Sequence, residues 1–356
     1  MSGINSSSQF ASQSSSQNRF CRQVRYQPLG PAGQEKLADS HVAIIGCGAL
    51  GSVTATALAR AGVGRLTIID RDVPEWSNLP RQLLFTEADV RAGIPKAEVA
   101  ARRLREIDSQ LEIMPRVADL TARNALDLLA GATLLIDGTD NFETRFLIND
   151  FSCRENIPWV YGGVIGAEGR VMAVVPGRTA CLRCLTPEPP PPGSLPTCDT
   201  AGVIGPAVMV VGGVQAAEAI KLLVATDAQP RSHLLVCDLW ESIWRVVDLT
   251  PLAEAGCPTC RDADYPWLDS RCHNKPAVLC GQDAIQFSPS SSGPIDLEGL
   301  ATRLGGLGTM LVNSWLVRAE VEPGISLSVF ADGRILVSGT RQPDQARSIV
   351  ARYLGT

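Results

Sequence analysis

Short apolar runs at residues 41–45, 66–70, 111–117, 133–137 and 159–163 recur through the first half of the chain. Between them apolar residues return every third or fourth place, as Val99, Ala100, Leu104 and Ile107 do. Such runs, flanked by turn residues, predict strands, and the helical spacing predicts helices over 52–61, 96–107, 122–129 and 141–155. A short helix over 34–40 precedes the first strand. Strands alternating with helices predict an α/β fold, a Rossmann-like sheet with helices on both faces.

Beyond Gly163 the pattern changes. Residues 170–175, 234–238 and 245–249 read as antiparallel strands, so the complete sheet is expected to be mixed. Between them lie a proline-rich loop, Pro187 to Pro196, and an apolar stretch, Ala201 to Ala217. That stretch holds Gln215 and runs into Glu218 and Lys221, whereas a membrane span needs roughly 20 apolar residues. It predicts a buried helix of small residues. Residues 263–276 are polar and proline-bearing and read as a linker. After them a helix (297–304), three strands (315–321, 326–330, 335–338), an Asp332-Gly333 hairpin turn and a last helix (344–353) predict a small C-terminal α+β module, 277–356. The main domain is then 19–262, and the Ser- and Gln-rich residues 1–18 read as a disordered tail.

Composition narrows the classes. With 45% hydrophobic and 19% charged residues the chain is an ordinary globular protein. A net charge of −5 argues against a nucleic-acid partner, which wants a basic surface. The eleven cysteines follow no signal-peptide pattern, so a cytoplasmic setting with reduced thiols and no membrane partner is expected.

The chemistry clusters where the strands end. Gly46-Cys47-Gly48-Ala49-Leu50-Gly51 follows the first strand, and Asp70 closes the second, nineteen residues beyond Gly51. A glycine turn opening a helix offers backbone N–H groups to phosphate, and an acid at the next strand end accepts ribose hydroxyls. A tight turn with close packing is the plainer explanation of the glycines alone. Two further cations, Arg81 and Lys96, favour phosphate contact over surface solvation. Asp140, after the fourth strand, suits Mg²⁺ beside a triphosphate, although a cap on the following helix explains it equally well. Cys181-x-x-Cys184 and Cys257-x-x-Cys260, 72 residues apart, predict a closed four-thiolate Zn²⁺ site toward the end of the main domain, structural rather than catalytic. Cys198 near a helix start is either a nucleophile or a small buried hydrophobe. A dehydrogenase using NAD(P) accounts for the glycines and Asp70 but leaves Arg81, Lys96, Asp140 and the cysteine quartet without purpose. A non-catalytic scaffold has no reason to keep them.

Arg19-Phe20-Cys21-Arg22-Gln23, the glycine turn, Ile68-Ile69-Asp70-Arg71-Asp72, Ser77-Asn78-Leu79-Pro80-Arg81-Gln82, Asp137-Gly138-Thr139-Asp140-Asn141, the two CxxC pairs and Thr197-Cys198-Asp199-Thr200-Ala201-Gly202-Val203 stand in one order. Over roughly residues 19 to 261 this resembles the ThiF/MoeB/HesA family, bacterial relatives of ubiquitin-activating enzymes. The resemblance implies ATP-dependent adenylation of the C-terminal glycine of a ubiquitin-fold sulfur carrier. It implies that Gly46, Gly48, Ala49 and Gly51 approach the nucleotide, that Asp70 binds ribose, and that Ser77, Asn78, Leu79, Pro80, Arg81 and Lys96 hold phosphates. Asp140 with Asn141 would place Mg²⁺. Arg22 would reach into a partner subunit's site, which implies a homodimer, and Cys198 would link covalently to the carrier as in some members. Ala49 departs from a glycine common in relatives. The C-terminal module stands where some relatives carry a rhodanese domain, so sulfur would come from a separate donor, a cysteine desulfurase or rhodanese.

Overall fold

The computed structural model describes residues 19–191, 194, 196–225, 230–271, 284–287, 295–306 and 309–355. Eight strands form the main sheet: β1 (His41–Ile45), β2 (Arg65–Ile69), β3 (Glu112–Arg116), β4 (Leu134–Asp137), β5 (Trp159–Ile165), β6 (Glu168–Val174), β7 (His233–Asp238) and β8 (Ile243–Asp248). Their order is β3-β2-β1-β4-β5-β6-β7-β8. From β3 to β5 neighbours are parallel, and from β5 to β8 antiparallel. The expected mixed α/β sheet is present.

Alternation along β1 explains the layers. Val42 and Ile44 join one core with Leu66 of β2 and with Leu58, Leu104, Val208 and Val211, from helices Ala49–Ala61, Lys96–Ile107 and Gly205–Val224. Ala43 and Ile45 join the other with Phe146, Leu147 and Phe151 of helix Phe142–Glu155. Helix Gly205–Val224 is long and apolar enough to cross a membrane by length and composition, yet it packs inside the first core. Gln215 donates to the carbonyls of Asp137 (2.6 Å) and Val160 (3.0 Å) and accepts from Thr54 Oγ1 (2.9 Å). Gly212 permits this, since a Cβ there would lie 2.7 Å from Val53 Cβ. The helix starts later than the apolar run, because Gly202, at φ +75°, separates it from a short helix, Cys198–Ala201.

Residues 263–271, expected as the start of a linker, are packed instead. Trp267 and Leu268 are buried in the second core, and the Trp267 ring lies 4.4 Å from that of Phe146. Asp150 Oδ2 accepts from the N–H groups of Trp267 (2.9 Å) and Leu268 (3.4 Å). Two apolar residues in a polar stretch carry no periodicity, so sequence pattern missed them. Residues 272–276 and the tail 1–18 lie outside the described residues.

The C-terminal module is an antiparallel sheet of β9 (Ala284–Phe287), β10 (Met310–Val312), β11 (Leu316–Glu322), β12 (Ile325–Phe330) and β13 (Ile335–Ser338), in the order β10-β11-β12-β13-β9. Strands β9 and β10 escaped the sequence reading because three or four residues show no clear period. Helices Leu297–Leu304 and Pro343–Leu354 cover the face bearing Val317, Leu327, Val337 and Ile285. The opposite face turns toward the main domain, where Ala284, Leu316, Phe330 and Leu336 enclose Val73.

Candidate functional site

The chain leaves β1 toward β2 on one side and returns to β4 on the other, which opens a crevice at the carboxyl ends of these strands, the usual ligand position in open α/β sheets. Gly46 lies in it with φ +85°. Its N–H donates to the Ile69 carbonyl (2.8 Å), and Gly138 N–H donates to that of Ile45 (2.8 Å). A Cβ on Gly46 would meet Gly138 O at 2.7 Å, and one on Gly51 would meet Gly46 O at 1.9 Å. Packing therefore explains these two glycines. Gly48 is different: a Cβ would meet only Gln82 Nε2, at 3.7 Å. The protein itself leaves room there, at the N-terminus of helix Ala49–Ala61, where backbone N–H groups and the helix dipole favour an anion.

Asp70 is buried beside this turn. One carboxylate oxygen accepts from Cys47 N–H (2.7 Å), the other from Asp72 N–H (2.8 Å), and each keeps a lone pair for a further donor. Burial pushes the Asp70 carboxyl above its usual range, against the pull of Lys96. Lys96 is also buried, with Nζ 3.6 Å from Asp72 Oδ2 and its N–H bonded to Asp72 O (2.8 Å). Burial opposes its charge, but Asp72, Asp70, Asp140 and Glu75 together hold its pKa above the ordinary value. The lysine is a retained cation.

The turn 76–82 closes one side. A 3₁₀ turn, Trp76–Asn78, buries Asn78, whose Oδ1 accepts from Glu75 N–H (3.1 Å). Ser77 and Pro80 are exposed and Leu79 is half-buried. The Arg81 guanidinium folds back on the Ser77 carbonyl (2.5 Å). Gln82 was not among the candidate residues, yet its Oε1 is buried without a hydrogen-bond partner among the described residues, close to Gly48.

After β4, Asp137 turns inward and Asp140 outward. Arg145, which sequence reasoning missed, is buried and binds Asp137 Oδ2 (3.0 Å), Thr139 O (2.7 Å) and Gly162 O (3.2 Å). An arginine eight residues after a strand-end acid, inside a helix, was the available signal. Asn141 is the helix cap, with Oδ1 accepting from Thr144 N–H (2.9 Å). The cap left open for Asp140 therefore belongs to its neighbour. Asp140 is exposed, has no hydrogen-bond or ion-pair partner among the described residues, and acts electrostatically on Arg71, Lys96 and Arg145. The exposed, unengaged carboxylate offers oxygen donors of the kind that Mg²⁺ takes, against the repulsion of the neighbouring cations.

The cysteine quartet lies elsewhere, in the second core, with Cys181 and Cys257 buried in it and Cys184 and Cys260 packed against it. Sγ–Sγ separations are 3.7 Å for Cys181–Cys184, 3.5 Å for Cys181–Cys257, 3.5 Å for Cys184–Cys260 and 3.7 Å for Cys257–Cys260. A tetrahedron with metal–sulfur distances of about 2.3 Å has sulfur–sulfur edges of about 3.8 Å, so the four thiols fit one metal ion. Asn149 supports them, its amide on Cys181 Sγ (3.7 Å) and its oxygen on Leu182 N–H (2.8 Å). Hydrogen bonds from Cys181 and then Cys184 lower the Cys257 thiol, while the other three thiols of the quartet are raised, so the cluster favours one thiolate shared among four sulfurs.

The ThiF family model matches residues 20–259 of the chain. The chain belongs to the ThiF family. Over 338 residues, 95% of this chain and 99% of the other, it is 42% identical to the "Sulfur carrier protein ThiS adenylyltransferase" of Bacillus subtilis. Over 250 residues, 69% of this chain and 91% of the other, it is 39% identical to the "Sulfur carrier protein adenylyltransferase" of Thermus thermophilus. Among solved structures it resembles Escherichia coli MccB with ATP, at 25% identity and TM-score 0.56, covering 65% of this chain and 71% of that one. The first match takes in most of the C-terminal module, and the second leaves about a third of this chain unmatched.

Two residues of the ThiF-type pattern stand apart from the crevice description. Arg22 is exposed on the short helix Cys21–Val24. Cys198 begins its own four-residue helix, capped by Thr197, and not the long helix of small residues. Its side chain lies outside the described set.

Proposed function

We infer that the chain adenylates the C-terminal glycine of a ubiquitin-like sulfur-carrier protein with ATP, as in thiamine or molybdenum-cofactor sulfur transfer. The observation that carries this reading is the meeting of Gly48, Asp70, Lys96 and Asp140 at one crevice. A hydride-transfer site uses the first two and leaves the others idle. The names of the B. subtilis and T. thermophilus relatives support the same activity.

The carrier's carboxylate is already ionised, so the reaction needs no general base. It attacks the α-phosphorus, the bond to the bridging oxygen breaks, and pyrophosphate leaves with the electron pair. Rate comes from positioning and charge neutralisation. Asp70 accepts the ribose hydroxyls, the backbone at Gly48 and Ala49 approaches the nucleotide, and the turn 77–81 with Lys96 holds the phosphates. Mg²⁺ held by Asp140 would neutralise phosphate charge. Asn141 serves that position by starting the helix beside it. Zn²⁺ on the cysteine quartet would join residues 181–184 to 257–260 and contribute folding energy.

In this reading catalysis belongs to the main domain, which runs from residue 19 through the packed segment ending at 271. The enzyme is a cytoplasmic homodimer in which Arg22 completes the partner's site, and a desulfurase or rhodanese donates sulfur. The test is carrier-dependent ATP–pyrophosphate exchange, with mass spectrometry of the carrier for one added adenylyl group. A folded, metal-loaded protein that adenylates neither thiamine-type nor molybdopterin-type carriers overturns it.

A further inference from the structure

The C-terminal module meets the main domain at the segments that carry Asp72 and Lys96. Alternation in its sheet puts Arg318, Ser328, Leu336 and Gln286 in one cross-strand row, with Leu316 and Phe330 on the same face. From that face and its hairpin four contacts reach across. Arg334 Nη1 donates to the Arg71 carbonyl (3.1 Å). Val73 fills the apolar pocket of Ala284, Leu316, Phe330 and Leu336. Gln286 Nε2 donates to Asp119 Oδ2 (3.3 Å), the oxygen that also binds Arg71 Nη1 (2.7 Å). Asn313 Nδ2 donates to the carbonyls of Ala92 (3.3 Å) and Gly93 (3.1 Å), the residues that lead into Lys96.

Arg334 is the centre of this contact. It is 5% exposed, held by Asp332 Oδ2 (2.6 Å) and stacked 4.4 Å over the Phe330 ring. Its Nη2 has no hydrogen-bond partner among the described residues. Burying a guanidinium costs several kcal/mol unless its charge is used; Asp332 uses part of it at 2.6 Å, and across the interface it acts at longer range on Asp72. Burial opposes ionisation of Asp72, but Lys96, Arg71 and Arg334 hold its carboxyl below the usual range.

We propose that Arg334 of the C-terminal module is a positioning residue for the phosphate subsite, fixing the Arg71–Val73 turn and sharing the charge of Asp72 so that Lys96 can leave it for a triphosphate. The proposal rests on the ATP reading of the crevice. The charge count supports it. Lys96 is paired with Asp72, at 3.6 Å, and has to give up that partner to hold phosphate. Arg71 (3.6 Å) and Arg334 remain as counter-charges. Without Arg334 Asp72 depends more heavily on Lys96, and the turn loses its anchor on the Arg71 carbonyl.

The test compares ligands with and without phosphates on the full chain. Wild type and Arg334→Met are titrated calorimetrically with MgATP, and with adenosine by competition. ATP affinity is expected to fall roughly tenfold, the order of coupling within one charge network, while adenosine affinity stays within about twofold. In an Asp72→Asn background the same Arg334→Met change should cost little more, because the shared charge is gone. A merely structural contact would instead weaken both ligands in parallel and add fully in the double variant. Unchanged ATP affinity, a parallel loss of adenosine affinity, or additivity each overturns the proposal. Should Arg334→Met fail to fold, Arg334→Gln, which removes the charge and keeps a polar side chain, carries the test with the same ATP-selective loss expected. A wild-type protein that binds no ATP overturns the underlying reading as well, which separates the two failures.

Discussion

Asp140 and Asn141 are adjacent in sequence, and the structure separates their work. Asn141 Oδ1 caps helix Phe142–Glu155 through Thr144 N–H at 2.9 Å, whereas Asp140 is exposed and makes no hydrogen bond among the described residues. Removing the cap, as in Asn141→Ala, should cost about 1 kcal/mol, or roughly 1–2 °C in Tm for a chain of this size. Asp140→Ala removes no contact of that kind and should stay within about 0.5 kcal/mol of wild type. On activity the order reverses. A lost charge-stabilising group at a phosphoryl site costs about 10²–10³ in rate, so Asp140→Ala should lose ATP–pyrophosphate exchange by that factor. Asn141→Ala should keep exchange within about tenfold. Thermal denaturation and exchange, run on the same preparations of both variants, give the comparison. Near-normal exchange in Asp140→Ala, or a larger Tm loss there than in Asn141→Ala, would refute the division of labour.

Four further outcomes are expected. Purified protein should carry one zinc ion per chain, lost together with cooperative folding on prolonged chelation; four freely titrating thiols in a fully folded, zinc-free protein would contradict this. An inactive Arg22→Ala chain mixed with an inactive Asp140→Ala chain should regain part of the activity, since a mixed dimer holds one site with both residues, and no recovery after confirmed subunit exchange counts against a shared site. Burial pushes the Asp150 carboxyl up to about 6 from 3.8, the Trp267 and Leu268 N–H groups opposing. Because the folded state prefers the protonated form, stability is full below pH 3.8 and is lost as pH rises through 6, by about 3 kcal/mol in all. The stability gap between wild type and Asp150→Asn, read by urea denaturation, should shift by about 2 kcal/mol of this in the variant's favour between pH 4 and pH 7, and a pH-independent gap disproves it. Cys198→Ser should still adenylate the carrier but form no covalent adduct with it, and an adduct that persists assigns the linkage to another residue.

Sequence pattern alone determined the element order of the main sheet, because buried parallel strands and their covering helices impose their own periods on composition. It also pointed to the meeting of Cys181, Cys184, Cys257 and Cys260 in one cluster, and to the position of Asp70, Lys96 and Asp140 near the strand ends, since strand ends in this topology converge. What it could not decide was which of two plausible tasks a side chain performs once neighbours are present. Asn141 rather than Asp140 became the cap because its oxygen, not the carboxylate, meets Thr144 N–H. Gly46 and Gly51 proved to be packing glycines, while Gly48 alone keeps open space. Arg145 and Gln82 joined the site through burial, which no local period reports. The placement of Arg334 against Arg71 and Asp72 is the clearest case. These residues are far apart in the chain, and only the docking of one sheet face on the Val73 segment brings a buried guanidinium close to the acid that pairs with Lys96. Local sequence records periods and motifs, but contacts between distant segments depend on how completed layers pack.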